Sequence, residues 1–476
     1  MQTSRRTGSL YHDVGLRLLK LLNVILITLP FAGCWFFYYS QRVILAPSPM
    51  RSASMIAVFV VLFSYFGRVY EASLISIKRI SELFYSQLLS VLMGDAFMFV
   101  VLWLMSGSFP NLLPAVAALV VQLLMSLLWC KYAHIWYFSR FAGQRTAIIY
   151  DVRRGVEDLI GRYGLNQKFD VKLTCTVEAC LGQGMRMLKG MEVVFLCGIH
   201  SHDRNRILKY CVANDISAYV IPRIGDVLMS GAKRMHMFHL PMLRVGRCHP
   251  SPEYTLVKRL FDIVSSAAVI LVTSPLMIGV AIAIKAQDGG PVFYRQTRLT
   301  KDGREFEILK FRSMRTDAEK DGRARLSTGK DDDRITPVGR FIRSCRLDEL
   351  PQLFNILGGS MSVVGPRPER PEIARQYEQE IPEFNLRLQV KAGLTGYAQV
   401  YGKYNTVPYD KLQMDLLYIA NPSLAEDLKI IFATIRILFM PESTEGVEAG
   451  QTTAMGEEET VHVTLSEDER DKENIA

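Results

Sequence analysis

The stretch IVSSAAVILVTSPLMIGVAIAI, residues 263–284, decides how this chain meets a membrane. As a helix it would run roughly 33 Å at 1.5 Å per residue, enough for a hydrocarbon core of about 30 Å. Lys258 and Arg259 precede it, and Lys285, Arg295 and Arg298 follow it. Basic flanks on both sides favour both ends on the same, inner side of the bilayer. Near its middle stands Ser274-Pro275. Proline removes a backbone donor and clashes with the preceding turn, and a serine hydroxyl can serve a carbonyl freed in this way. The pattern predicts a helix–break–helix hairpin over 256–287 that enters and leaves one leaflet. Its rival is a fifth, kinked transmembrane helix.

Working outward, four more segments before it are long and apolar enough to span, at about 21–40, 52–70, 87–106 and 112–130. The N-terminus carries Arg5, Arg6, Arg17 and Lys20. The link after the second segment carries Lys78 and Arg79, and Lys131, Arg140 and Arg145 follow the fourth. The link at 107–111 is uncharged. This distribution puts both ends of a four-helix transmembrane domain, residues 1–140, inside; Arg42 and Arg51 in the first loop depart from it. Asp95 is the acidic residue well inside a span. It reads as facing a helix partner at least as readily as serving transport. The first apolar run is long and lacks a small-residue cleavage site, so no removable signal peptide is expected.

The net charge of +9 hides an asymmetry. From Glu442 onward there are eleven acidic and two basic residues, a net of −9, which leaves about +18 on the rest. The acidic tail, 441–476, is poor in aromatics and is expected to be disordered. A basic body suits a phosphate-rich partner or an anionic membrane surface, and no nucleic-acid motif accompanies it. The eight cysteines form no CxxC pair, which fits isolated reduced thiols.

Residues 141–250 change character. β-like runs at Arg145–Tyr150, Phe169–Thr176, Glu192–Gly198 and Ala218–Pro222 alternate with helical stretches, which predicts a small Rossmann-like α/β domain with a parallel sheet. The turn after the first run reads Asp151-Val152-Arg153-Arg154-Gly155, without the glycines of a dinucleotide cradle. His200, His202, His236, His239 and His249 make no recognisable ligand set.

After the apolar stretch come four polar clusters: Lys310-Phe311-Arg312-Ser313-Met314, which follows a β-like run at Phe306–Leu309; Arg343 to Gln352, with Asp348-Glu349 and Pro351; Val364-Gly365-Pro366-Arg367-Pro368; and Lys391-Ala392-Gly393-Leu394-Thr395-Gly396. Singly, each has an ordinary reading. Asp348 could cap a helix, Arg312 and Arg343 could be solvated charges, and Pro366-Arg367-Pro368 could be a stiff turn. Together, within about ninety residues, they suit phosphoryl transfer. Arginine forks match phosphate oxygens, and a carboxylate can hold Mg²⁺ or attack phosphorus to give an acyl phosphate. Prolines beside Arg367 stiffen it, and Gly393 and Gly396 permit close backbone approach.

From about Val257 to Phe439 the chain resembles the bacterial sugar transferases, the monotopic polyprenyl-phosphate phosphoglycosyl transferases. The matching motifs are Lys-Arg-Leu-Phe-Asp at 258–262, Ser274-Pro275, Gly-Pro-Val-Phe-Tyr at 290–294, Lys-Phe-Arg-Ser-Met, Leu-Asp-Glu-Leu-Pro-Gln and Val-Gly-Pro-Arg-Pro. Lys391-Ala392-Gly393 stands where the family commonly has Lys-Pro-Gly. The resemblance implies an α/β catalytic domain at 251–440 that carries a re-entrant membrane helix. It implies that Asp348 attacks the β-phosphate of a UDP-sugar, with glucose or galactose as the leading sugars, and releases UMP. The phosphosugar then passes to undecaprenyl phosphate, the first membrane step of exopolysaccharide, capsule or O-antigen synthesis. Mg²⁺ near Asp348 and Glu349 would neutralise the diphosphate. Glu349 would assist by metal binding or proton handling. Arg343 and Arg367 match positions linked to active-site order and phosphate binding; Lys310 and Arg312 are further phosphate contacts, while Ser274, Pro275, Pro366 and Pro368 are structural. The implied location is the bacterial inner membrane, multi-pass, with the catalytic domain on the cytoplasmic face. A crossing at 263–284 would carry that domain away from nucleotide substrates. A homodimer could form through the bundle and the α/β domain. The competing readings are a lipid-linked sugar transporter and a non-catalytic membrane scaffold.

Overall fold

The computed structural model describes residues 2–44, 48–151, 156–315, 334–402 and 406–438. Residues 152–155 of the turn expected over 151–155 and the acidic tail at 441–476 lie outside them. The chain forms two compact units, residues 1–221 and 222–476.

The first unit opens with four long helices: α1 (Gln2–Cys34, continued by a π-helical turn Trp35–Tyr39), α2 (Pro49–Val69), α3 (Ile80–Ser106) and α4 (Leu113–Arg140). Each is long and apolar enough to cross a membrane. Prolines at the first turns of α2 and α4 cost no helical donor, and α3 stops at Gly107, whose φ of 64° is left-handed. Trp35, Phe59, Phe63, Val91 and Met98 fill the contact between helices. Large apolar side chains such as Leu104, Leu113 and Leu124 point outward, as lipid-facing helices require. Asp95 meets a helix partner: Gln122 Nε2 on α4 lies 3.5 Å from its Oδ1 and also donates to Ile27 O at 3.1 Å.

An α/β region follows, with β1 (Gln144–Tyr150), α5 (Val156–Arg162), β2 (Phe169–Thr176), α6 (Val177–Gly182), β3 (Val193–Cys197), α7 (Ser201–Ala213) and β4 (Ser217–Val220). The four strands are parallel in the order β2-β1-β3-β4. Central β1 buries Ala147, Ile148 and Ile149 in succession, because helices cover both faces of such a sheet.

The second unit begins with α8 (Ile224–Ser230) and the hairpin β5 (Lys233–Met237)–β6 (Leu240–Arg244). Sequence patterning groups these with the middle domain, yet Ile224 and Val227 pack into one core with Val364, Ile373, Phe384, Leu412 and Ile430. The apolar face of α8 is what assigns it. Then come α9 (Pro252–Asp288), β7 (Phe293–Leu299), β8 (Glu305–Phe311), α10 (Pro337–Ser344), α11 (Gln352–Gly358), β9 (Ser362–Val364), α12 (Pro371–Glu380), β10 (Gly393–Thr395), α13 (Tyr397–Tyr401), α14 (Pro408–Ala420) and α15 (Leu424–Leu438). β7 and β8 pair antiparallel, and β9 and β10 pair parallel.

The interruption expected at Ser274-Pro275 is absent as a gap in helical structure: α9 is one element of 37 residues with Pro275 inside it. The physical reason is local. Pro275 cannot donate to Leu271 O, and the Ser274 hydroxyl donates to that carbonyl instead, at 2.8 Å. Asp262, Ser266, Met277, Val280 and Ile284 are buried, and Ile270 is partly so, a stripe at helical spacing along nearly the whole length. The outer face carries Leu260, Val264, Leu271, Val272, Ile278 and Ile282, all exposed. The stripe packs on β8, β9, α10 and α11, so the soluble body lies along both halves of α9.

Candidate active site

The Lys258–Asp262 segment fixes the first turns of α9. Arg259 donates to the carbonyls of Ile356 (2.6 Å) and Leu357 (2.7 Å) in the last turn of α11. Asp262 accepts from Val363 N at 3.0 Å. Lys258 pairs with Asp427 of α15 at 2.8 Å, and Tyr254 and Tyr418 also donate to that carboxylate. α11 is held from its other side by Asn355, which accepts from Leu309 N (2.9 Å) and donates to Glu307 O (2.8 Å). The strand that presents Lys310 and the turn that presents Asp348 and Glu349 are thus locked to one helix.

Asp348 does not cap α11; Pro351 holds that position. Asp348 and Glu349 sit in a 3₁₀ turn, Leu347–Glu349, entered through Arg346 at φ 54°, ψ 22°. A left-handed arginine is a strained choice of the kind that accumulates at functional sites. Glu349 Oε1 accepts from Lys310 Nζ and from Arg367, each at 3.1 Å, and Arg346 lies 4.0 Å from Oε2. Burial alone would raise the Glu349 pKa, but Lys310, Arg367 and Arg346 outweigh it and hold the group ionised, well below the usual range. Asp348 goes the other way. Burial first and the Glu349 charge second push it up to about 6, against the pull of Lys310, Arg343 and Arg367. Among the described residues no hydrogen-bond donor reaches its carboxylate.

Arg367 is exposed at its tip while Pro366 and Pro368 are buried on either side. Four successive carbonyls around it are engaged. Pro366 O accepts from Gly393 N (2.9 Å), Arg367 O from Arg387 (3.0 Å), Pro368 O from Arg298 (3.1 Å) and Glu369 O from Leu299 N (3.0 Å). Gly365 and Gly393 must be glycine: a Cβ on Gly393 would stand 2.1 Å from Gly365 N. Behind this loop Arg387 donates to Asp415 (2.7 and 2.9 Å) and approaches Glu369 (3.5 Å). Burial opposes the charge on Glu369, but Arg387 and Arg298 hold its pKa below the usual range.

The structure therefore gathers Asp348, Glu349, Lys310, Arg343 and Arg367. Arg312 takes another post. It is buried, paired with Asp288 at the end of α9, and packed so closely on Gly290 that a Cβ there would meet its guanidinium. It ties β8 to α9. Ser274 and Pro275 belong to α9, described above. Arg346, Arg387, Glu369 and Asp415 were not singled out from sequence, and Arg298 was named only as a flanking charge. Arg346 stood inside a highlighted cluster, where its left-handed backbone could not be foreseen, and Arg387 sits in an unremarkable Asn-Leu-Arg-Leu-Gln run.

No group of three or more His, Cys, Asp or Glu side chains gathers among the described residues. A hard divalent ion would rest on the two adjacent carboxylates and on substrate oxygens, a donor set that suits Mg²⁺. The donor-free carboxylate of Asp348 fits such an ion.

The family profile described as bacterial sugar transferase matches residues 253–441. The chain is 40% identical over 236 residues to the UDP-N-acetylgalactosamine-undecaprenyl-phosphate N-acetylgalactosaminephosphotransferase of Aeromonas hydrophila, covering 49% of this chain and 55% of that one. It is 45% identical over 183 residues to the UDP-glucose:undecaprenyl-phosphate glucose-1-phosphate transferase of Klebsiella pneumoniae, covering 37% and 39%. It is 41% identical over 191 residues to an exopolysaccharide production protein of Rhizobium leguminosarum bv. phaseoli, covering 38% of this chain and 94% of that one. The chain spans about half the length of the first of these relatives and less of the second. With the site built on the matched segment and one relative matched over nearly its whole length, the chain belongs to the bacterial sugar transferase family.

Proposed function

We propose that this chain transfers a hexose-1-phosphate from a UDP-sugar to undecaprenyl phosphate, with Asp348 as the nucleophile. The observation that carries the proposal is the contrast within one turn: Glu349 is clamped by Lys310 and Arg367, while Asp348 has no donor among the described residues and a pKa pushed up to about 6. Ionised at neutral pH and without the ion pairs that clamp Glu349, Asp348 is the freer of the two to attack. Its Oδ forms a bond to the β-phosphorus, the bond from that phosphorus to the bridging oxygen breaks, and UMP leaves with the electron pair. An oxygen of undecaprenyl phosphate then attacks the acyl phosphate. The lipid diphosphate sugar forms, and the Asp348 carboxylate is regenerated. Lys310, Arg343 and Arg367 neutralise the diphosphate, and Glu349 holds Lys310 and Arg367 in place. Mg²⁺, held by Asp348 and Glu349, would supply further charge neutralisation on the phosphate oxygens.

The wider reading follows. α1–α4 are four membrane spans, and the parallel-sheet region is a Rossmann-like domain without a nucleotide cradle. We read α9 as bent at Pro275 while still helical, so that it dips into one leaflet with both ends on the cytoplasmic side of the bacterial inner membrane. Its apolar outer face supports this, as does the soluble body packed along both halves, which a straight crossing would drag into the bilayer. The product would prime an exopolysaccharide, capsule or O-antigen, and the first unit could carry a homodimer contact.

The test is UMP release by the full chain in nanodiscs with undecaprenyl phosphate, Mg²⁺ and a panel of UDP-sugars. One or more sugars should give UMP, and Asp348→Asn should lower the rate by about 10³-fold or more. An Asp348→Asn rate within tenfold of the parent would remove the nucleophile from the proposal.

A further inference from the structure

The first unit holds a cavity of about 310 Å³ lined by its own residues alone. It is lined by the link between α2 and α3 (Ser76, Lys78, Arg79), the first turn of α3 (Ser81), the last turns of α4 (His134) and the loop before β2 (Lys168). Its volume is at the lower end of the range for small-ligand pockets and about ten times the space of one water. Three of the lining residues are cationic, and among the described residues no acidic side chain lines it. The polar walls are built. Lys168 reaches Ser76 Oγ at 3.2 Å, and Lys78 is buried and held by Tyr70 O (2.9 Å), Ser86 Oγ (3.1 Å) and Glu71 (3.1 Å). Gly164, with φ 69°, keeps the way clear for Arg79, because a Cβ there would stand 3.1 Å from its Nε. Glu71 pairs with Lys78, and Arg79 and Lys168 line the same cavity. α3, which begins at Ile80, turns its N-terminus and its partial positive charge to the same place.

The location narrows the chemistry. α2 ends at Val69, α3 starts at Ile80 and α4 ends at Arg140, so the cavity lies where three apolar helices meet polar structure. With α1–α4 read as membrane spans, that is the inner head-group level, where basic pockets between helices take phosphorylated head groups. We propose that this cavity binds a phosphate ester anion, distinct from the substrates of the Asp348 site. The ester could come from a lipid head group or from a soluble phosphate, and the two sources separate by experiment.

The full chain is purified in detergent and titrated with phosphatidylglycerol or phosphatidylcholine under native mass spectrometry. In a parallel arm, inorganic phosphate is added and the thermal midpoint followed. Lys168→Gln and Arg79→Gln are compared with Lys209→Gln, an exposed lysine of α7. A lipid ligand predicts retention of phosphatidylglycerol over phosphatidylcholine that falls about fivefold with each cavity charge removed and is unchanged by Lys209→Gln. A soluble ligand predicts a phosphate-dependent rise in midpoint that the same two variants lose. Lys168→Gln can keep its bond to Ser76, so an unchanged midpoint in phosphatidylcholine verifies its fold should Arg79→Gln prove unstable. Equal retention of both lipids with no phosphate effect, or a preference that Lys209→Gln weakens equally, would overturn the site. UMP release from the same preparations reports on Asp348 independently.

Discussion

Asp348 and Glu349 are neighbours with opposite electrostatic fates, and the difference makes the pH dependence predictable. Asp348 titrates near pH 6 because it is buried and sits beside an ionised glutamate. The nucleophile must be deprotonated, so transfer should be lost as pH falls through about 6. Glu349 raises the Asp348 pKa, so Glu349→Gln should move the acid limb of the remaining activity to lower pH. Arg367 lowers it, so Arg367→Ala should move the limb to higher pH. A pH–rate profile of UMP release reads both signs; a limb that stays fixed in both variants would detach it from Asp348. These two carboxylates, Lys310 and Arg367 were legible in sequence as unusual residue types close together. The post of Arg312 was not, because its partner Asp288 is a helix-end residue that no local pattern connects to it.

At the scale of elements, two devices hold the site and each makes a prediction. In α9 the Ser274 hydroxyl replaces the donor that Pro275 lacks at Leu271 O. Ser274→Ala should therefore destabilise the chain by about 1 kcal/mol or more, and much less when Pro275→Ala restores the backbone donor. Thermal midpoints of the two single variants and the double variant in detergent measure that coupling. Sequence exposed both residues but pointed to a break, because proline's missing donor was visible and its local replacement was only one of several outcomes. Behind the Pro366-Arg367-Pro368 loop, Arg387 holds Arg367 O and neutralises Asp415 and Glu369. Arg387→Met removes the ion partner of the buried Asp415 carboxylate and should cost about 3–5 kcal/mol, read as a large fall in midpoint. Periodicity located the strands of the parallel sheet to within a residue or two. It could not assign α8, since which core an amphipathic helix joins depends on distant residues such as Leu412 and Ile430.

At the scale of the molecule, every residue given a part in the transfer reaction lies in the second unit, 222–476. A family relative is matched over 94% of its length by 191 residues of this chain, so the family includes chains without room for a counterpart to the first unit. Deletion of 1–221 should accordingly leave UMP release within about tenfold of the full chain when unit two is supplied in lipid; its loss would give the first unit a catalytic part. Length, apolar segments and charge distribution made the membrane character legible from sequence alone, because lipid demands long uninterrupted apolar helices. The central claim concerns one covalent bond. The most direct measurement is the intact mass of the full chain after incubation with a UDP-sugar that supports UMP release, in the absence of undecaprenyl phosphate. The account predicts one added hexose phosphate, mapped to Asp348, lost on adding the acceptor and absent in Asp348→Asn. UMP formation that strictly requires the acceptor, with no added mass at any time, would contradict it.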